Sequence, residues 1–242
     1  MKLIALDSSG LVASVAVLEE DTLLAEFTVN YKKTHSQTLL PMLEEVRKQI
    51  ELDMDTVDAI AVAAGPGSFT GLRIGSATAK GLGQALKKPV IPVGTLEALA
   101  YNLYGTDKLV CPMMDARRSQ VYSGLYTFEK RAGDREYHLC VQEEMAALSV
   151  TEQIEKINAL GREVILLGDG IPVNKEVLEE QLKVPYSYAP ADRSRQRASS
   201  VALLGAQYFA EGKAVAAAEH SPVYLRLSQA ERERMEKESN AD

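Results

Sequence analysis

Apolar residues gather into three short runs over the first thirty positions. Lys2 to Leu6 is apolar and ends in Asp7-Ser8-Ser9-Gly10; Leu11 to Leu18 alternates imperfectly; Thr22 to Tyr31 follows the polar Glu19-Glu20-Asp21. Three runs separated by polar turns predict three strands in an antiparallel meander. Next comes THSQTLLPMLEEVRKQIEL, where Leu39, Leu43, Val46 and Ile50 recur at helical spacing and predict one buried stripe. Thr34 or Ser36 suits the cap of this helix, and Pro41 fits a place in its first turn. Leu40 and Met42 fall off the stripe. They predict a second apolar surface, turned toward a partner or another lobe.

Asp58 to Leu99 organises the rest. Ala59 to Ala64 is the apolar run of a buried strand, and the loop GPGSFTG follows. Ser68 or Thr70 is placed to cap a helix from about Gly71 to Leu86, which Lys87-Lys88-Pro89 stops. Val90 to Val93 is a further strand, so the stretch reads as a βαβ unit with a right-handed crossover. Gly71, Gly75, Ala79, Gly81 and Gly83 leave the helix with little bulk. Each glycine inside a helix costs roughly 0.5–1 kcal/mol relative to alanine, so close tertiary contact must offset the loss. Two contacts would do so: the helix's own sheet, or another helix, including one from a second chain.

The pattern then repeats. Thr95 is expected to cap a short helix, and Leu103 to Asp107 makes a polar break. Leu109 to Met114 ends in Asp115-Ala116-Arg117-Arg118, and Val121 to Phe128 and Tyr137 to Gln142 are two further strands joined by a charged connection. A second strand–Asp turn–strand–turn–strand series implies duplicated architecture. Ser149 to Leu160 reads as a helix, Glu163 to Leu167 as a strand ending in Gly168-Asp169-Gly170, Asn174 to Gln181 as a helix, Tyr186 to Ala189 as a short strand and Ser199 to Glu211 as the last helix. These readings predict a first lobe of residues 1–104 with a returning segment at about 215–228, a second lobe of 105–214, and a charged tail at 229–242 expected to be disordered.

Composition narrows the class. With 46% hydrophobic and 25% charged residues among 242, the chain has the profile of a soluble globular protein. The N-terminus turns polar at Asp7, too early for a signal peptide, and no apolar run suffices to span a bilayer. Cys111 and Cys140 lack CxxC spacing and are expected as reduced core residues, so a cytoplasmic location is expected. A net charge of −7 argues against a broad nucleic-acid surface. Arg193, Arg195 and Arg197 form a small basic cluster, read as an exposed loop, with phosphate or RNA contact as the alternative.

Chemistry is sparse. The glycine loop lacks the Lys-Ser/Thr of a Walker A site, the spacing of a dinucleotide fingerprint and the GxSxG of a nucleophile elbow. Its amides at a helix N-terminus can still hold an anion, with Arg73 in the first turn. His35, His138 and His220 are too dispersed for an HExxH zinc site. His35, at a helix start, reads first as a structural hydrogen-bonding residue. Asp7 and Asp115 each close a strand inside a turn, where several phosphotransferases hold a metal-bound phosphate. Aspartate is also an ordinary turn former.

The segments LDSSG, THSQTLLP, AVAAGPGSFTGLRIGSATAKGLG, DARRSQVY and PVYLR resemble the TsaB/YeaZ family, over nearly the whole chain to about Arg226. The resemblance implies an α/β, two-lobed actin/Hsp70/sugar-kinase-like fold with duplicated ribonuclease H-like βββαβαβα lobes. It implies a bacterial, non-catalytic scaffold or activator subunit in the synthesis of threonylcarbamoyladenosine in tRNAs reading codons that start with A. Its partner would be the catalytic paralogue TsaD, helped by the small ATPase TsaE, with tRNA met through the complex and a homodimer in isolation. The paralogue's metal-binding HxxxH falls here on Thr95 and Leu99, which cannot replace histidine ligands, so neither catalytic nor metal residues are expected. The expected partner face comprises His35, Leu39, Leu40, Leu43, Arg73, Gly75 and Ala79. Weak nucleotide or phosphate contacts would come from Asp7, Ser8, Ser68 and Asp115. No tightly bound cofactor is expected; ATP or ADP would lodge at the interface of the complex alone. The alternatives within the same fold are an active nucleotide-dependent phosphotransferase and a metallopeptidase.

Overall fold

The computed structural model describes residues 1–31, 34–133 and 135–226. Strands β1 (Lys2–Asp7), β2 (Ala13–Glu19) and β3 (Thr22–Val29) form the expected meander. Helix α1 (His35–Gln49), strand β4 (Ala59–Gly65), helix α2 (Phe69–Leu86), strand β5 (Val90–Gly94) and helix α3 (Thr95–Tyr101) complete the first half. The sheet order is β3-β2-β1-β4-β5, with β4 parallel to both β1 and β5. The second half repeats it with β6 (Leu109–Asp115), β7 (Gln120–Lys130), β8 (Tyr137–Ser149), α4 (Val150–Leu160), β9 (Val164–Leu167), α5 (Gly170–Val173), α6 (Lys175–Gln181), β10 (Tyr186–Tyr188) and α7 (Ala198–Ala210). Its sheet order is β10-β9-β6-β7-β8, with β9 parallel to β6 and β10.

Five layers result. Ile4, Leu6, Val15 and Val17 on one side of the first sheet pack with Leu39, Leu43, Val46 and Ala79 of α1 and α2. On its other side Leu3, Ala5, Ala61 and Val93 meet Leu96 and Leu99 of α3, Val201 and Leu204 of α7, and Val110, Tyr126 and Phe128 of the second sheet. Leu109, Cys111, Val121 and Leu166 then cover α4 and α6 from the far side of that sheet. Helix α7 packs on the strands of the first sheet, although it comes last in the chain, and α3 packs on β4 and β5 of the first sheet as well as on β6 and β7 of the second. Asn102, after α3, ties this middle layer: its amide donates to the Arg193 and Arg195 carbonyls at 2.9 and 2.7 Å, and its Oδ1 accepts from Ser200 Oγ.

Several local expectations need correction. Helix α1 starts at His35, so Pro41 lies in its second turn, and Thr34 occupies the N-cap without a side-chain capping bond. Met42 is buried with Leu39 and Leu43, because i and i+3 share a face as well as i and i+4. Thr95 is the first residue of α3, whose N-cap is Gly94; its hydroxyl instead accepts from Gly65 N–H. Helix α2 begins two residues early, at Phe69, capped by Ser68 Oγ on Gly71 N–H. Strand β8 reaches Ser149, well past Gln142, and the helix expected at 174–181 is present as α6, preceded by a short unexpected helix, α5, from Gly170 to Val173. Cys111 is buried as expected, whereas Cys140 is half-buried. The tail from Gln229 onward lies outside the described residues.

Candidate partner face and interlobe cleft

The small residues of α2 divide by helical phase. Gly71, Gly75, Ala79 and Gly83, four apart, face inward. A Cβ on Gly75 would sit 2.6 Å from Ser8 Oγ, and one on Gly71 2.1 Å from the Ser8 carbonyl oxygen, so both positions demand the missing side chain. Leu39, Leu43 and Ala79 are 1%, 4% and 0% exposed inside the first lobe's own core. Four of the seven residues expected on the partner face therefore point away from it. Leu40 stays outside at 51% exposure, Arg73 is exposed, and His35 turns toward the cleft between the sheets. The outer stripe of α2 is instead Thr70, Arg73, Ala77 and Gly81, and a Cβ on Gly81 would meet nothing within 4 Å. Sequence reasoning did not place Ala77 and Gly81 on the outer side; the signal that does so is their two-residue offset from Gly75, Ala79 and Gly83, about half a turn, together with their four-residue spacing from Arg73.

A cavity of about 520 Å³ separates the lobes, with Ser9, Gly10, His35 and Ser68 on one side and Asp115 and Asp169 on the other. His35 Nε2 donates to the Gly10 carbonyl at 2.8 Å, the structural bond expected of it, and its Nδ1 is buried without a partner. Of the four residues expected to touch phosphate, Ser68 and Asp115 line the cavity. Ser8 does not: it is buried, and its hydroxyl donates to the Gly71 carbonyl at 2.9 Å. Asp7 is buried too, with Oδ1 taken by the N–H and hydroxyl of Ser9. Burial pushes its carboxyl up to about 6, against the opposing pull of Ser9 and the His35 ring. Burial likewise raises Asp169, whose Oδ1 accepts from Asp115 N–H. Asp115 holds its own turn, accepting from Arg117 N–H at 2.8 Å.

Arg193 is exposed, as the loop reading expects, while Arg195 and Arg197 are half-buried, and all three are hydrogen-bonded within the chain. Arg193 donates to the Asn102 carbonyl, Arg195 to the Gly168 carbonyl at 2.8 Å, and Arg197 pairs with Glu26 of β3. Burial alone would raise Glu26, but Arg197 and Ser199 hold it below the usual carboxylate range. Thr95 and Leu99 are both buried in the middle layer, and neither lines the cavity. Among the described residues no group of three His, Cys, Asp or Glu side chains could hold a metal ion. No helix among them is long and apolar enough to cross a membrane.

Two lobes with five-stranded sheets of one strand order, facing each other across a cleft, define a duplicated, two-lobed α/β fold class. The sequence pattern of the family described as "TsaD: tRNA N6-adenosine threonylcarbamoyltransferase" matches residues 22–234. The tRNA threonylcarbamoyladenosine biosynthesis protein TsaB of Bacillus subtilis is 35% identical over 231 residues, covering 96% of each chain. TsaB of Escherichia coli is 31% identical, over 93% of this chain and 95% of its own. A Pseudomonas aeruginosa crystal structure, described as similar to the peptidase YeaZ, superposes with a TM-score of 0.77 at 30% identity, over 93% of this chain and 99% of that one. The chain belongs to the TsaB/YeaZ family.

Proposed function

We propose that this chain is a tRNA threonylcarbamoyladenosine biosynthesis protein that acts without catalysing, as the scaffold or activator bound to the catalytic paralogue TsaD. The observation that carries this reading is the pair Thr95 and Leu99. Both stand where the paralogue places metal-binding histidines, and here both are committed to the core, Thr95 through its bond to Gly65 N–H. A chain without those ligands keeps a shaped surface as its contribution. The outer faces of α1 and α2, with Leu40, Arg73, Ala77 and Gly81, supply one where a second pair of helices approaches closely. Small residues let backbones come near each other, and Leu40 gives the contact an apolar anchor. A homodimer built on this face and the TsaD heterodimer would exclude each other. A TsaE-type ATPase and tRNA would meet the chain through that complex, and a nucleotide would lodge at its junction.

The test is reconstitution of tRNA modification from purified components with and without this chain, joined to TsaD co-elution. Gly81→Arg and Leu40→Asp are the informative variants, since neither position is packed in the monomer. The expected result is a cooperative melt, no lower than wild type for Gly81→Arg, with lost co-elution and lost modification. Intact co-elution with both changes present overturns the α1–α2 surface. Modification at full rate without the chain, or turnover by the chain alone, overturns the non-catalytic role.

A further inference from the structure

Residues 214–226 return from the second lobe along the first. Val215 bridges to Val90 of β5, Ala217 packs in the outer core of the first lobe, and Lys80 of α2 donates to the His220 carbonyl at 3.0 Å. The root of the segment is therefore fixed to the first sheet and to α2. Its tip crosses the cleft. Val223 N–H donates to the Ala64 carbonyl at 2.7 Å, and the chain passes so close to Gly65 that a Cβ there would lie 2.2 Å from the Val223 carbonyl oxygen. Gly65 is at φ +127, a conformation that side chains rarely adopt, so one glycine both turns the loop and leaves room for the segment. Tyr224 stacks on Phe69 with ring centroids 4.8 Å apart, and Arg73 lies over Phe69 at 4.0 Å while donating to Tyr224 OH. Arg226 then reaches the second lobe, where its Nη1 donates to the Ala116 carbonyl at 2.7 Å.

That carbonyl sits in an unusual turn. Arg117, Arg118 and Ser119 follow it with φ of 65°, 54° and 57°, three successive non-glycine residues in the left-handed region. Such residues cost free energy and persist where their surroundings over-determine them, so loosening one of the holding groups weakens the turn. Here the holding groups are Asp115, which accepts from Arg117 N–H and pairs with its guanidinium, the bonds from Ala116 N–H to the Gln120 carbonyl and from Gln120 N–H to the Arg117 carbonyl, and Arg226 on the Ala116 carbonyl. All but the last lie within the turn. Arg226 reaches it from the segment rooted on the first lobe.

We propose that residues 221–226 are a latch across the mouth of the cleft, coupling its opening to the shape of the surface at the N-terminal end of α2. Release of Arg226 frees the left-handed turn on one lobe and loosens Tyr224 on the other. Tyr224 is part of the Phe69–Arg73–Tyr224 stack, and Arg73 belongs to the outer stripe of α2, so cleft and stripe respond together. The latch itself stands on the contacts above; its effect on a partner rests on the function proposed for that stripe.

The experiment has two arms on the full chain. In the first, spin labels at Leu11→Cys and Val173→Cys, in a Cys140→Ser background, report the interlobe distance, and amide exchange is followed at residues 65–72 and 116–120. Leu11 is exposed beside the cleft at 48% and Val173 on the second lobe at 67%. Arg226→Gln and Tyr224→Ala should both widen the distance distribution and speed exchange at both segments, by about three- to tenfold for the loss of one such contact. Arg226→Lys, which keeps a cationic donor, should restore part of the effect. In the second arm TsaD affinity should fall by about the same factor for Arg226→Gln, against complete loss for Gly81→Arg. An unchanged distance and exchange in both latch variants overturns the latch. Opening without loss of affinity, while Gly81→Arg still abolishes binding, overturns the coupling. If Gly81→Arg also binds normally, it is the partner face that fails.

Discussion

Asp7 and His220 are the two buried titrating groups whose effects on stability run in opposite directions. Asp7 has a folded pKa of about 6 against an ordinary 3.8. The folded state therefore holds its proton more firmly, and this contribution, complete below about pH 4, is lost as pH rises through 6. At neutral pH the buried charge costs up to about 3 kcal/mol. Asp7→Asn keeps the acceptor for Ser9 and removes the charge, so it should raise the melting temperature at pH 7.5 and change little at pH 4. A melt series across pH checks this, and a variant that melts lower at pH 7.5 refutes it. His220 is buried with neither ring nitrogen partnered, and burial together with the Lys80 ammonium lowers its pKa. Its unfolded form binds the proton first, so stability falls as pH drops below 6.5. With Asp7→Asn in place, the loss of stability between about pH 6.5 and 5 should steepen, and adding His220→Gln should reduce it. Neither environment was legible in the sequence. An aspartate in a Ser-Gly turn looks solvated until β1 is seen flanked by β2 and β4.

Helix α2 shows where pattern reading runs out among the elements. The strand–loop–helix–strand order was plain from apolar runs and punctuation, and Ser68 was identified among its cap candidates. The facing of the helix was not plain. Hydropathy fixes the phase of a helix when one side is bulky and the other charged. Glycine and alanine occupy both sides here, so Gly75 and Ala79 could be placed outside as readily as inside. Two substitutions now separate the sides. Gly75→Leu should destabilise the monomer by about 1–3 kcal/mol through overpacking on Ser8 and Val62. Gly81→Ala should stabilise it by about 0.5–1 kcal/mol, since the new methyl meets nothing and the helix gains propensity. Urea midpoints at constant slope measure both, and equal effects would contradict the phase assigned to the helix.

For the whole molecule, the duplicated meander made the number and order of the strands readable, while the assignment of helices to sheets was not. Sequence order suggests that α7 serves the second sheet and α3 the first, whereas α7 packs on the first and α3 on both. Nothing in a helix's own residues says which of two apolar sheets it will cover. The shared middle layer makes one core of the two lobes' facing sheets, so unfolding should be a single cooperative transition with equal calorimetric and van't Hoff enthalpies. Asn102→Ala, which strips one buried hydrogen bond to α7 and two part-buried ones to the loop before it, should lower stability by about 2 kcal/mol or more without splitting that transition. Two separated transitions would contradict it. The late arrival of α7 sets a timetable for biosynthesis. Strand β5 ends at Gly94 and α7 begins at Ala198, so about 100 residues must still be translated before α7 completes the inner cover of the first sheet that α3 begins. At about 5–20 residues per second the nascent chain carries that half-covered apolar wall for several seconds, an interval in which a ribosome-associated chaperone has something to hold.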